Sequence, residues 1–138
     1  MKIGAKASVD PAKADWSQNP QRFAGRVGRQ ELARTTEGVQ VLAVFFDAGA
    51  RNRPHIHVND QVLVCIDGEG VVSMAADSGR PDVLTIRPTD TVHVPRGTWH
   101  WHGARRATPM THLSILVADD ADQWDSVDPK DWDEYRGG

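Results

Sequence analysis

The feature that most narrows what this chain can fold into is a rhythm of short apolar runs cut by turn residues. VQVLAVFF occupies 39–46 and is stopped by Asp47-Ala48-Gly49. RPHIHVNDQVLVCI follows, then the turn Asp67-Gly68-Glu69-Gly70, VVSMAA, and the turn Asp77-Ser78-Gly79. After these come VLTI, Arg87-Pro88-Thr89-Asp90, TVHVP, Arg96-Gly97, TWHWHG and MTHLSILVA. Each run is rich in β-branched and aromatic side chains, which fit a pleated, half-buried surface. Strand-length runs separated by turns at intervals of roughly ten residues predict an all-β sandwich or barrel. Residues 39–120 form this unit. Residues 1–38 are polar, with Asp15-Trp16 and Phe23 as isolated anchors, and predict an arm with short strands. Residues 121–138 form a tail. In it Asp128 can cap a turn that starts with Pro129, so Lys130 to Arg136 predict a short C-terminal helix. Trp132 and Tyr135 would share the face it lays on the barrel.

A chain of 138 residues suits one domain. Its net charge of -3 argues against nucleic acid as a partner, since such proteins carry a basic excess. No apolar run approaches a membrane span, so no membrane partner is expected. The first ten residues carry no apolar stretch behind their lysines and do not read as a secretory signal. Cys65 is the only cysteine, so no internal disulfide can form; it sits in an apolar run and reads as a small core residue. These features together predict a cytoplasmic protein.

The chemistry lies in the histidines. Strand residues two apart point to one face, so His55 and His57 project together, as do His100 and His102. Gln61 shares the parity of His57 if the strand runs on unbroken. Imidazole with one oxygen donor suits Mn, Fe, Co, Ni or Zn. Spacing alone leaves the choice between a metal centre and ordinary core or solvated histidines open. His93 has the opposite parity and reads as an outward residue. Trp99 and Trp101 flank His100 with opposite parity and are expected to pack between sheets or at a subunit interface. Arg51 and Arg53 share the parity of His55 unless Pro54 disturbs it; a rim arginine in solvent is the plainer expectation, and a carboxylate clamp the alternative.

Gly49-x5-His55-x-His57-x3-Gln61-x6-Gly68 resembles the first motif of the cupin superfamily, with glutamine where glutamate is usual. Pro95-x-Gly97-x2-His100 resembles the second, preceded by Thr89-Asp90 where the family typically has Gly-Asp. A narrower likeness continues through His100-Trp101-His102-Gly103-Ala104 and Met110-Thr111-His112-Leu113-Ser114-Ile115. It is similar to a group of small bacterial cupins that includes manganese-dependent hydroxynitrile lyases and the cupin domains joined to carboxymuconolactone-decarboxylase-like proteins. The resemblance implies a double-stranded β-helix, or jelly-roll, cupin barrel. It implies one divalent transition metal on His55, His57, Gln61 and His100, with manganese placed ahead of iron, zinc, nickel and cobalt. It makes His102 and His112 acid/base or substrate-contacting groups in the same pocket. It also implies a homodimer or higher homo-oligomer in which the arm covers a neighbour's sheet edge. His55-Ile-His57-Val-Asn-Asp-Gln61 departs from the relatives' H-T-H-P-L-G-Q, and Arg53 stands where a small residue is common; both bear on the substrate more than on the metal.

Three imidazoles and a carboxamide are neutral, so a divalent ion held by them keeps its full charge and acts as a stronger Lewis acid. Three functions follow for a small-molecule substrate. The first is a metal-dependent lyase working on a C–C bond beside a hydroxyl or carbonyl, as in hydroxynitrile lyases. The second is an iron-dependent dioxygenase, and the third a non-catalytic metal- or ligand-binding module. Fold alone does not separate them.

Overall fold

The structure is a computed structural model that describes residues 5–118 and 122–124. It consists of two antiparallel sheets facing each other. One sheet has the order β2-β3-β11-β6-β9: Val27–Arg34, Val39–Phe46, Met110–Val117, Gln61–Gly68 and Thr91–Val94. In the other, β10 (His100–Ala104) is central, with β7 (Gly70–Met74) and β8 (Asp82–Ile86) beyond one edge. Its other edge pairs with β4 (Arg51–Asn52) and β5 (His55–Ile56), two halves of one interrupted strand. Two-residue strands β1 (Phe23–Ala24) and β12 (Gln123–Trp124) extend β4 and β5 respectively. This is the all-β jelly-roll barrel expected. The predicted short helix at Lys130–Arg136 lies outside the described residues.

Alternation puts the side chains between the sheets. In β11 the pattern runs buried, intermediate, buried throughout, so Met110, His112, Ser114 and Leu116 point inward. Val27, Val44, Phe46, Leu63, Val72, Ile86, Val94 and Met110 pack into a continuous apolar core. Cys65 belongs to that core, as its surroundings predicted. Burial pushes its thiol pKa up, which leaves it inert.

The N-terminal segment is built into the barrel. β2 pairs with β3 along its whole length, with a bulge between Glu31 and Ala33. Asp15 and Arg29 exchange backbone hydrogen bonds of 2.8 and 3.0 Å, which covers part of the β2 edge. Trp16 lies 5.9 Å from the Phe45 ring, with the Arg26 guanidinium 3.9 Å above it. Two turns need particular backbones. Gly68 has φ +74°, and a Cβ there would overlap the carbonyl oxygen of Pro109, so only glycine fits. Thr89 keeps a left-handed φ of 79°. That stores about 1–2 kcal/mol of strain, offset in part by Thr89 N–H donating to Cys65 O at 2.8 Å.

Candidate metal centre

Four of the predicted residues meet between the two sheets, beside the apolar core. His55 and His100 are direct cross-strand partners on β5 and β10. His57 follows β5 by one residue, and Gln61 opens β6 on the facing sheet. The site is therefore spanned by both sheets. His55, His57 and His100 offer ligand nitrogens that all lie within 4.8 Å of one another, and all three are buried. Gln61 is 3% exposed and His100 2%, so both are largely shielded from solvent.

Local bonds aim each ring. His55 Nδ1 lies 2.8 Å from the Arg53 carbonyl, and His100 Nδ1 lies 2.9 Å from the Thr98 carbonyl. A carbonyl accepts, so each Nδ1 carries the proton and each Nε2 presents a lone pair to the interior. Gln61 donates Nε2–H to Ser114 Oγ at 2.8 Å, which turns its Oε1 toward His100. Oε1 then stands 3.0 Å from His100 Nε2, an acceptor facing a lone pair. A cation between them resolves that repulsion. Two ligand atoms bonded to one ion at about 2.1 Å and near a right angle are separated by about 3.0 Å. His57 Nε2 is buried with no hydrogen-bond partner, which is costly unless a metal takes its lone pair. The residues present thus fit a divalent transition metal.

The electrostatics agree. Burial, reinforced by neighbouring His100 and His57, holds the pKa of His55 well below its ordinary 6.5. Burial brings His100 down to about 4. Both rings are neutral at pH 7, the state a metal requires.

His102 and His112 form a second pair next to this centre. His112 Nε2 lies 2.8 Å from His102 Nδ1, and burial takes His112 to about 4 and His102 well below 6.5. His102 lines a cavity of about 480 Å³, together with His55, His57, Gln61, Phe23, Leu42 and Leu116. His112 does not line it. It is fully buried behind His102, against Phe46 at 5.2 Å. The two histidines are therefore not equivalent: one faces the cavity, the other backs it.

Asn52 was missed from sequence. Its Oδ1 accepts the His102 backbone N–H at 2.8 Å. Its Nδ2 lies 3.0 and 3.2 Å from the two ring nitrogens of His102, a near-equal spacing that puts it over the ring. Pro54 explains the omission. It breaks β4 from β5 and resets the parity, so Asn52 lines the cavity and neither Arg51 nor Arg53 does. Arg53 donates Nε–H to the Pro20 carbonyl at 2.7 Å, so it does not clamp a ligand in the cavity. Arg51 is buried with its guanidinium 5.5 Å from the Trp101 ring. Trp101 is buried and Trp99 is 38% exposed. His93 points outward as expected, 3.0 Å from Asp60. Ser114 was legible in principle, since it shares the inward parity of His112.

The fold and this site define a metal-binding cupin, and the chain belongs to the cupin family: the Cupin domain model matches residues 43–116. One relative similar over the full length is an (R)-mandelonitrile lyase of Granulicella tundricola, 31% identical over 137 residues, covering 98% of this chain and 96% of that protein. An acireductone dioxygenase of Microcystis aeruginosa is 41% identical over 49 residues, 36% of this chain and 27% of that one. Among solved structures, a cupin-like protein from Thermotoga maritima superposes with a TM-score of 0.73 at 24% identity, covering 100% of this chain and 97% of its own. Among the described residues no helix is long and apolar enough to cross a membrane.

Proposed function

We propose that this cupin is a metal-dependent lyase that makes or breaks a C–C bond at the oxygen-bearing carbon of a small substrate, with α-hydroxynitriles as the substrate class. The observation that carries the reading is the His102–His112 contact of 2.8 Å beside the candidate ligands. A sensor needs no acid/base group beside its ligands; an enzyme that moves a proton uses one, and His112 holds His102 in place for it. The full-length likeness to a mandelonitrile lyase supports the same class.

His55, His57, Gln61 and His100 would hold the cation, with manganese the first choice. When bound, it supplies a Lewis acid for the substrate oxygen. Phe23, Leu42, Val44 and Leu116 give one side of the cavity an apolar wall for an aryl or alkyl group. In this mechanism His102 Nδ1–H donates to His112 Nε2, so His102 Nε2 keeps its lone pair for the substrate, with Asn52 Nδ2 3.0 Å from it over the ring. In the cleavage direction Nε2 takes the hydroxyl proton as the C–C bond breaks, and the bond's electron pair departs with cyanide. Burial makes protonated His102 a strong acid, suited to passing that proton to the leaving cyanide. Asn52, fixed over the ring, keeps the imidazole in one orientation.

The reading is tested by loading the protein with Mn2+ and assaying mandelonitrile for cyanide release beside a catechol-type compound for oxygen uptake. Cyanide release that depends on metal is expected. Oxygen consumption without it would move the assignment to the dioxygenase reading, whose support is a likeness confined to 49 residues. Ligand-induced thermal stabilisation without turnover would make the protein a binding module.

A further inference from the structure

The three candidate histidines differ in what holds their outer nitrogen. For His55 and His100 it is a backbone carbonyl two residues earlier, that of Arg53 and of Thr98. His57 has no such carbonyl. In its place the carboxylate of Asp122 comes in, with Oδ2 2.8 Å from His57 Nδ1. Asp122 belongs to the segment beyond the barrel. β12, which follows it directly, pairs with β5 so that Gln123 lies opposite Ile56 and Trp124 opposite His55. The side chains are largely shielded, at 8% exposure for His57 and 20% for Asp122. The carboxylate is close enough to hydrogen-bond but lies off the line of the ring N–H, and His57 Nε2 on the opposite side has no partner at all. Asp122 also lines the cavity, yet it is not among the groups whose ligand atoms converge.

On the metal-centre reading, these facts assign a role. We infer that Asp122 is the positioning residue for His57: it holds the proton on Nδ1 and so presents Nε2 to the cation. Occupation of Nε2 by a metal fixes the Nδ1–H tautomer, and a small rotation of ring or carboxylate then aligns the bond. A carboxylate behind a ligating imidazole raises the ligand's basicity, and losing such a partner typically costs about 10–100-fold in metal affinity. The consequence for charge is specific. The four ligands are neutral, so Asp122 brings one negative charge to the centre, delivered through an imidazole by a chain segment outside the two histidine motifs. Metal loading is thereby tied to the docking of that segment on β5.

The test uses the full chain and Mn2+ alone. Affinity is measured by competition with a chelator for the unaltered protein, Asp122→Asn and Asp122→Ala, with the melting temperature of each metal-free form and the Mn2+ electron paramagnetic resonance spectrum of each loaded form. Asp122→Ala is expected to lose about 10–100-fold in affinity. Asp122→Asn, which keeps an acceptor and loses the charge, should fall between. Both should alter the Mn2+ spectrum with the metal-free melting temperature unchanged. Affinities within twofold of the unaltered protein in both variants would overturn the inference, as would a loss matched by collapse of the metal-free form. If the unaltered protein binds no Mn2+, it is the metal-centre reading that fails, and the two failures are distinct.

Discussion

His102→Ala is expected to lower turnover of a small hydroxynitrile by about 10²–10⁴-fold, the usual worth of a positioned acid/base group, with the bound metal retained. The separation of effects follows from placement. His102 lines the cavity but is not one of the three histidines whose ligand atoms converge. His112→Phe should cost less, because His112 reaches the cavity only through its 2.8 Å contact with His102 Nδ1. Its loss leaves His102 with an unpaired buried nitrogen and a freer tautomer, not without a base. Metal content and kcat for both variants check this. Equal activity in His102→Ala and the parent protein, at equal metal content, would remove His102 from the chemistry.

The metal-free protein should lose most of its stability as pH falls from about 6.5 to about 4. His100 and His112 have folded-state pKa values of about 4 against an ordinary 6.5, and His55 and His102 lie well below 6.5 too. Burial is the leading cause in each. A histidine whose folded pKa is depressed binds protons more readily unfolded than folded. Its contribution is therefore complete above the unfolded value and is lost as pH drops toward the folded one. A shift of this size is worth on the order of 3 kcal/mol per ring. Even two such rings rival the whole stability of a typical domain, about 5–15 kcal/mol. Protonating the first ring also opposes the next, because the rings are neighbours: His55 and His100 centroids are 4.2 Å apart, and His102 and His112 4.6 Å. Thermal melts of the metal-stripped protein between pH 7.5 and 4 should show this fall, and added Mn2+ should move it to lower pH by competing with protons. A flat profile through that window would contradict the packing described.

What the sequence disclosed, and what it withheld, divides by the range of the contact. Strands such as Val39–Phe46 and Met110–Val117 were legible because their patterning is local and their turns carry Gly, Pro and Asp. The His55/His57 and His100/His102 pairs were legible because alternation fixes a face within one strand. Parity failed where the strand was interrupted: Pro54 put Asn52 inside, while Arg53 turned to the Pro20 carbonyl. The second layer of the site was illegible for another reason. Ser114 behind Gln61 could have been reached through the parity of β11, but Asp122 behind His57 depends on how the chain returns after the barrel. Nothing in the sequence of an acidic run marks Asp122 as the carboxylate that reaches His57. The difference between His102 and His112 was likewise hidden, since parity says that both face inward but not which stands in front.

Metal stoichiometry of the 138-residue chain bears most directly on whether imidazoles from both motifs and the Gln61 amide share a cation. Elemental analysis after loading with Mn2+ and removal of excess is expected to give one ion per chain for the parent. The His57→Ala/His100→Ala double variant, still folded by circular dichroism, should give essentially none. Equal metal in both proteins, or no metal in either, would contradict the account.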